Sequence, residues 1–235
     1  MDNFTISYGH GKIKLISEVI KLKKEFLGCP QTIDESELYG FSWLESVLAI
    51  PSPLVCVTSY KGNGLPNATM QSWCTFIGEE GFHVLFSSVN KWTHMYSSIL
   101  DTKQFVVNFP SKDVFMKCYS TIQNNDYDKD EISAAGLTAE PASKVNAPMI
   151  KECFLNLECE LEWTKGLVEG SDLHVFCAKI VGIHMDDEHY NTEKLGRYGS
   201  TGYMYNIHRP IDPDTGKSIE TQVGFINGLT TYDDL

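Results

Sequence analysis

Alternation between apolar and polar positions is clearest in the second half of the chain. In the segment CFLNLECELEW at 153–163, one set of apolar residues alternates with a mainly polar set. A period of two is that of a β-strand with one buried face and one mainly solvated face. A second apolar stretch, DLHVFCAKIVGIHM, follows after the eight residues TKGLVEGS. The two stretches are therefore predicted to form an antiparallel hairpin of long strands.

Shorter β-rich segments follow one another from Pro51 onward. PLVCVTSY is apolar and β-branched and stops at the turn formers KGNGLPN. SWCTFI and FHVLFSS are separated by GEEG, which indicates a strand, a tight turn and a strand, and QFVVNFP reads as a further strand. Most of these strands have no helix between them. We therefore expect a mainly β fold with a few helices, as an antiparallel barrel and not a doubly wound parallel sheet.

Two stretches show helical spacing instead. KWTHMYSSILDT lacks Gly and Pro and places Trp92, Met95 and Ile99 three or four residues apart. SKDVFMKCYSTI predicts a second helix with Ser111 as its N-cap.

The two ends of the chain differ from its middle. Residues 1–45 combine the basic stretch KIKLISEVIKLKKEF with the polar stretch QTIDESELYG, and are predicted to form an N-terminal extension to a main domain at 46–190. Residues 191–235 are rich in Gly, Pro and Tyr and have little periodicity. Such a segment is predicted to be a C-terminal arm that packs on the barrel or on a dimer partner.

Composition narrows the class of protein. The 235 residues are 42% hydrophobic and 21% charged, enough to bury a sizeable core, and carry a formal net charge of −12. This acidic balance argues against nucleic acid as a partner, although one local cluster of donors could still bind a small phosphorylated ligand. Neither a membrane span nor a secretory leader pattern is recognisable, so no membrane association and a cytoplasmic location are expected.

Cysteines and histidines give no metal pattern. The seven cysteines are scattered, never spaced as CxxC and mostly inside apolar stretches, so they are interpreted as reduced, buried thiols. His174, His184 and His189 lie near the acidic residues 186–188, but there is no helical His pair and no CxxC partner, and no metal site is predicted. The acidic run DYDKDE at 126–131 is predicted to be a solvated loop.

Small and hydroxylated residues follow the predicted strand at 54–60 and its turn. Such a segment can leave backbone N–H groups free to surround an anion, with added hydroxyl donors from Thr69 and Ser72. Trp73 offers an apolar face for a planar ring. Lys91 could hold a phosphate as a point charge, with serine and threonine hydroxyls beside it. Taken alone, the segment is more often an ordinary entry from a turn into a strand.

Three blocks in sequence order give a more specific signal. They are Pro51 to Ser59, Gly64 to Trp73, and Thr102 to Asn108. They resemble the flavin reductase-like family, whose members show P-x-P-V-x-V-T-S, then G-x-x-N-x-x-T-x-S-W, then T-G-E-F-V-V-N. The resemblance covers about 50–187. It departs at Met95, where the family has Thr, and at Lys103, where the family has Gly.

The resemblance implies a six-stranded antiparallel split β-barrel that forms a homodimer and holds non-covalent FMN near the dimer interface. In the family, the segment matching 67–74 lines the isoalloxazine and ribityl chain, and the segment matching 87–94 meets the phosphate. The predicted cofactor-binding residues are Asn67, Ala68, Thr69, Met70, Ser72, Trp73, Cys74, Ser87, Ser88, Lys91, Thr93 and His94. On a predicted helix beside Met95, His94 is more often a capping or core-edge residue than a ligand.

Three functions follow as alternatives. The resemblance implies an FMN-dependent oxidoreductase that passes electrons from NADH or NADPH through the flavin to a small-molecule or protein acceptor. A flavoredoxin-type electron carrier with tightly bound FMN is the second reading, and a flavin-free binding protein on the same fold is the third. In the first two, the chemistry belongs to the flavin, so no catalytic side chain is assigned. The chain lacks a GxGxxG motif, so a nicotinamide dinucleotide would bind only transiently over the flavin.

Overall fold

The architecture is mainly β. The structure, a computed structural model, describes residues 23–191 and 196–231. Its main sheet has seven strands in the order β3-β2-β6-β9-β10-β5-β4, and every neighbouring pair is antiparallel. The strands of this sheet are β2 (Val55–Tyr60), β3 (Pro66–Gln71), β4 (Cys74–Ile77), β5 (His83–Asn90), β6 (Gln104–Phe109), β9 (Leu155–Gly166) and β10 (Leu173–Met185).

The long hairpin predicted from the period-two pattern is confirmed as β9 and β10. Leu155 lies opposite Met185 at the open end, and Gly166 lies opposite His174 near the turn. Both strands are long enough to pair on their outer sides as well, β9 with β6 and β10 with β5. The hairpin therefore forms the middle of the sheet.

One face of β9 is more buried than the sequence pattern predicts. Asn156 and Glu158 were expected on the solvated face, but they are 7% and 0% exposed. A small hairpin of β7 (Ala139–Pro141) and β8 (Pro148–Ile150), with the loop between them, covers this half of the strand. Farther along, Glu160 is exposed as expected.

The two edges of the sheet are joined by only two residues. β3 and β4 lie at opposite ends of the strand order, yet Ser72 and Trp73 alone connect them. Three Cα–Cα steps of 3.8 Å span at most about 11 Å. The sheet must therefore curl until its edges approach at this corner. The count is seven strands instead of the predicted six, because the backbone turns at Trp73 (φ 49°) and divides one long strand into β3 and β4.

Both predicted helices are present. α2 (His94–Thr102) begins after its N-cap Thr93 and buries Met95 and Ile99 in the main core. α3 (Lys112–Ser120) begins after Ser111, as predicted, although no side-chain hydrogen bond caps it. The described residues also include three shorter α-helices: α1 (Trp43–Leu48), α4 (Glu131–Ala134) and α5 (Asp187–Tyr190).

Part of the C-terminal arm packs on the main sheet of the same chain. β11 (Met204–Asn206) pairs with β1 (Ser52–Pro53) on one side and β12 (Val223–Phe225) on the other. The Tyr203 ring packs edge-on against Phe109, at 5.3 Å between centroids. Most of the basic stretch near the N-terminus lies outside the described residues.

All seven cysteines are free, and all but Cys29 are buried. Cys56, Cys118 and Cys153 belong to one small core on the outer face of the sheet. Burial raises the pKa of the Cys74 thiol to about 12.

Within the described ranges, no helix is long and apolar enough to cross a bilayer.

Candidate functional site

The segment at 67–71, considered above as a source of free backbone N–H groups, belongs to strand β3. Asn67 and Thr69 lie opposite Ser59 and Val57 in the ladder between β2 and β3. In an antiparallel ladder, alternate residues direct their N–H and C=O groups to the neighbour or away from it. The expectation of a continuous run of free N–H groups is therefore wrong. Only every second residue of this edge strand has its backbone polar groups free of the ladder.

The outward backbone groups of β3 belong to Ala68 and Met70. The N–H of Ala68 donates to the carboxylate of Glu131 at 2.8 Å. By the same alternation, the N–H of Met70 points away from β2. The side chains of both residues pack with Cys56 on the outer face of the sheet. Of the two, Met70 can therefore offer a ligand its backbone N–H, whereas that of Ala68 is already bound, and neither side chain lies on the inner face.

The inner face carries two buried polar groups without partners. Among the described residues, neither Asn67 Nδ2 nor Ser59 Oγ has a hydrogen-bond partner, and both side chains are buried. The two residues face each other across β2 and β3. A buried donor without a partner costs about 1–3 kcal/mol. A bound ligand that accepts from these groups would remove that cost.

The corner between β3 and β4 is tied to β5. The carbonyl of Trp73 accepts from the backbone N–H of Ser87 at 3.0 Å and from its hydroxyl at 2.9 Å. Ser87 and Ser88 together oppose the single residue Val175 of β10, which is a β-bulge. The structure thus brings predicted residues of the 67–74 and 87–94 segments into direct contact.

The Trp73 ring is already in contact with one residue before the main sheet and one residue of the C-terminal arm. It stacks on His208 of the arm at 5.4 Å between centroids and lies against Phe41 at 5.5 Å. His208 is itself paired with Glu45 at 3.0 Å. Part of the ring surface that the sequence assigns to a planar ligand is therefore covered by the chain itself.

The predicted phosphate-binding lysine is not free. Lys91 forms an ion pair with Asp172 at the tip of the β9–β10 hairpin, and its ammonium lies 4.8 Å from the centroid of the Trp92 ring. Trp92 Nε1 donates to the same carboxylate at 3.0 Å. Hydrogen bonds from Lys91 and Trp92 lower the pKa of Asp172. A phosphate would have to share Lys91 with this carboxylate or displace it.

The start of α2 offers backbone donors. The Thr93 hydroxyl donates to the Asn90 carbonyl at 2.7 Å and accepts from the N–H of Tyr96 at 3.2 Å, so it serves as the helix cap. Met95, at the position where the family has Thr, points into the core. The first N–H groups of a helix, here those of His94 and Met95, have no intrahelical acceptor and favour anions.

Sequence reasoning missed a buried ion pair behind this helix start. Lys61 Nζ lies 3.1 Å from Glu131 Oε1, and the two side chains are 0% and 1% exposed. Lys61 also donates to the carbonyls of Asp126 and Lys129 at 2.8 and 2.6 Å. The prediction of a solvated loop at 126–131 is thus wrong for Glu131. His94 Nδ1, 3.4 Å from the same oxygen, extends the network to α2.

The histidines near the end of β10 have other contacts. His184 Nε2 pairs with the buried Glu158, which also accepts from the Ser143 hydroxyl at 2.7 Å and from three backbone N–H groups of the loop at 143–145. Burial opposes ionisation, but these donors lower the pKa of Glu158 to about 2. A Cβ at Gly182 would lie 2.9 Å from this carboxylate.

In the described ranges, no group of three or more His, Cys, Asp or Glu residues could hold a metal ion.

The donors at this corner fit the chemistry of FMN. A phosphate needs several donors. The first turn of α2 offers the backbone N–H groups of His94 and Met95, and Lys91 offers an ammonium. The N–H groups of the preceding turn, at 91–93, already donate to acceptors of the chain. A flavin ring has polar edges that need donors, and the unpartnered Asn67 and Ser59 and the outward N–H of Met70 are available for them. The ammonium of Lys91 supplies positive charge at this corner, and the carboxylate of Asp172 partly neutralises it.

Comparisons with known proteins place this chain in a family. A model of the flavin reductase like domain matches residues 47–205. An uncharacterized protein of Aquifex aeolicus (strain VF5) is 29% identical over 170 residues, which are 68% of this chain and 85% of that protein.

Two solved structures share the fold at low sequence identity. Nitrilotriacetate monooxygenase component B from Bacillus cereus has a TM-score of 0.69 at 18% identity, over 89% of this chain and 100% of that one. Flavoredoxin of Desulfovibrio vulgaris (Miyazaki F) has a TM-score of 0.60 at 16% identity, over 89% and 96%. The family model covers well over half of the sequence, and the chain belongs to the flavin reductase-like family.

Proposed function

We propose that this protein binds FMN non-covalently and passes electrons from NADH or NADPH through the flavin to an acceptor. The observation that carries the proposal is the contact between the two segments that the family uses for its flavin. Trp73 accepts two hydrogen bonds from Ser87. Ala68 and His94 both contact Glu131. Ring-side and phosphate-side segments thus meet at one corner of the barrel.

The phosphate would lie at the start of α2. The N–H groups of His94 and Met95 would donate to it, and Lys91 would add a charge-assisted bond by exchanging some or all of its contact with Asp172. The Thr93 hydroxyl would hold the helix start in place, since it already caps the helix. These groups bind and orient the cofactor.

The ring would lie along the edge strand β3. Asn67, Ser59 and the Met70 N–H are the donors available to its polar edges. When bound, FMN supplies the hydride acceptor and the electron store of the reaction. The chain's own part is to fix the ring, to supply its hydrogen bonds and to leave one face open to a transiently bound nicotinamide. We assign no side chain to proton transfer.

We also propose a homodimer in the cytoplasm. Leu44, Leu48 and Ile50, in and just after α1, are 41%, 56% and 67% exposed. An apolar surface of this kind is typical of a subunit interface. Sedimentation equilibrium would measure the mass of the particle in solution, and a monomer at micromolar concentration would overturn this part.

A flavoredoxin-type electron carrier is the second candidate. The net charge of −12 suits docking to a basic redox protein. Such a carrier would keep its FMN through gel filtration and accept electrons slowly from NADH or NADPH. The fold alone is compatible with both functions.

An absorbance spectrum of the purified protein separates the alternatives. Flavin bands that bleach quickly with anaerobic NADH or NADPH, above the rate of free FMN, support the oxidoreductase. Bands that persist with both nicotinamides but bleach with dithionite support the carrier. No flavin bands, even after FMN is added, would overturn both.

A further inference from the structure

A cavity lies between the main sheet and the C-terminal arm. Its volume is about 290 Å³, near the lower end of the roughly 300–1,000 Å³ typical of small-molecule sites. The cavity is lined by Pro53, Phe76, Phe82, Phe109, Leu155, Leu157, Ile183, Met185, Tyr203, Met204 and Tyr205. The arm contributes the last three of these, so the cavity exists only when the arm is packed on the barrel.

Among the described residues, no charged side chain lines this cavity, and its polar side-chain groups are those of Tyr203 and Tyr205. A phenol has an ordinary pKa of about 10, so it is protonated at neutral pH and can donate a hydrogen bond. Burial raises the pKa of both phenols further. An ionised ligand would lose its hydration here without gaining a counter-charge. The lining therefore selects for a neutral, apolar molecule with a hydrogen-bond acceptor.

The cavity is open to solvent and adjoins the flavin corner. Ile183 and Phe82 line it and are 57% and 37% exposed, which gives a ligand a way in. Tyr205 pairs with Pro53 on β1, and the next arm residue, Asn206, donates to the Ser72 hydroxyl at 3.3 Å. A ligand held under the arm would thus lie next to the connection between β3 and β4.

We propose that this cavity is a binding site for a neutral bicyclic aromatic compound that carries a carbonyl oxygen. Three phenylalanine and two tyrosine side chains line it and give flat apolar surfaces for the rings, and the phenols give donors for the carbonyl. The proposal does not depend on FMN, because none of the lining residues is among the groups assigned to the cofactor.

Calorimetric titration with coumarin tests the site directly. Coumarin is neutral, bicyclic and carries a carbonyl, and coumarin-3-carboxylate has the same rings with a negative charge. Saturable one-to-one binding of coumarin, at least tenfold tighter than that of the carboxylate, is expected for the protein with and without added FMN. No saturable binding of coumarin, or equal binding of the two compounds, would overturn the proposal.

Variants at the cavity entrance locate the binding. Ile183→Trp and Phe82→Trp place a larger ring at exposed lining positions and should each weaken coumarin binding at least tenfold. Ile77→Trp is the matched control, because Ile77 is 41% exposed on the same β4–β5 hairpin but does not line the cavity. Tyr205→Phe should weaken binding about fivefold through the lost hydrogen bond. Unchanged binding in both entrance variants would place the ligand elsewhere and overturn the assignment.

Discussion

The carboxylate of Glu131 accepts the backbone N–H of Ala68 at 2.8 Å, although the two residues are 63 positions apart. Ala68 lies on an edge strand, where an outward N–H would otherwise face solvent or a ligand. The second carboxylate oxygen contacts Lys61 and His94. One buried glutamate therefore joins the turn after β2, the edge strand and the start of α2, which are the elements around the proposed flavin site.

Removal of the charge on Glu131 should destabilise the fold strongly. In Glu131→Gln, Lys61 would be left buried without its counter-charge, and loss of one partner of a buried pair costs about 3–5 kcal/mol. Adding Lys61→Met should recover part of this loss. Urea unfolding measures both, with Asp128→Asn on the exposed part of the same loop as a control that should change stability by less than about 0.5 kcal/mol. If the double variant loses as much free energy of unfolding as the two single variants together, Glu131 and Lys61 are not a coupled pair.

Lys91 and Asp172 should have opposite effects on FMN affinity. Lys91→Ala removes a charge-assisted bond to phosphate worth about 1.5–3 kcal/mol, which is about 10- to 150-fold in affinity. Asp172→Asn frees Lys91 and removes a negative charge, so it should tighten FMN binding severalfold. Flavin fluorescence titration measures each.

The matched control for this pair is Lys151→Ala. Lys151 is also an ion-paired lysine, but its partner is Glu140 at 3.4 Å, and it follows the β7–β8 hairpin instead of lying in the β5–α2 turn. Its FMN affinity should equal that of the unmodified protein. If Lys91→Ala behaves in the same way, the phosphate lies elsewhere.

Lys103→Gly should stabilise the protein. Lys103 is the C-cap of α2 with φ 59°, a left-handed conformation that favours glycine, and it is exposed. The expected gain is about 1 kcal/mol in the free energy of unfolding. Lys112→Gly makes the same change inside the first turn of α3 and should lower stability by about 0.5–1 kcal/mol. A loss of stability in both variants would mean that strain at Lys103 is not significant.

Glu158 should make the fold sensitive to acid. Its folded pKa of about 2 lies below the usual unfolded value of about 4.3, so its stabilisation is complete above pH 4.3 and is lost as the pH falls toward 2. The magnitude is on the order of 2–3 kcal/mol. Glu158→Gln should therefore be less stable than the unmodified protein at pH 7, with a gap that narrows by this amount at pH 2. The exposed Glu160→Gln, on the same strand, should show no such narrowing.

Local patterns in the sequence predict those parts of this fold that depend on neighbouring residues. The strands β9 and β10, the start of α3 after Ser111 and the β4–β5 hairpin all follow from period, turn residues and caps. The helix predicted from Lys91 begins only after Thr93, so Trp92 lies outside it and is 75% exposed. The seven-strand count differs from the predicted six because a single backbone turn at Trp73 divides one strand. That turn has no sequence marker, since tryptophan seldom adopts a positive φ.

Distant contacts account for what the sequence pattern misses. Glu131 and Glu158 both read as solvated, yet each is buried by a segment that reaches it only in the folded chain. Two predicted site residues also have partners that are distant in the sequence. The Trp73 ring contacts His208 in the arm, and Lys91 forms an ion pair with Asp172 at the tip of the β9–β10 hairpin. Family motifs locate the proposed cofactor segments, but they do not show which of their donors are already occupied.

Titration of the flavin-free protein with FMN and with riboflavin measures whether this chain binds a flavin through its phosphate. The two flavins share the ring, and only FMN has the phosphate that the start of α2 and Lys91 are proposed to bind. Quenching of flavin fluorescence should saturate at one FMN per chain, and riboflavin should bind at least tenfold more weakly. No saturable quenching by FMN, or equal affinity for the two flavins, would contradict the proposed site.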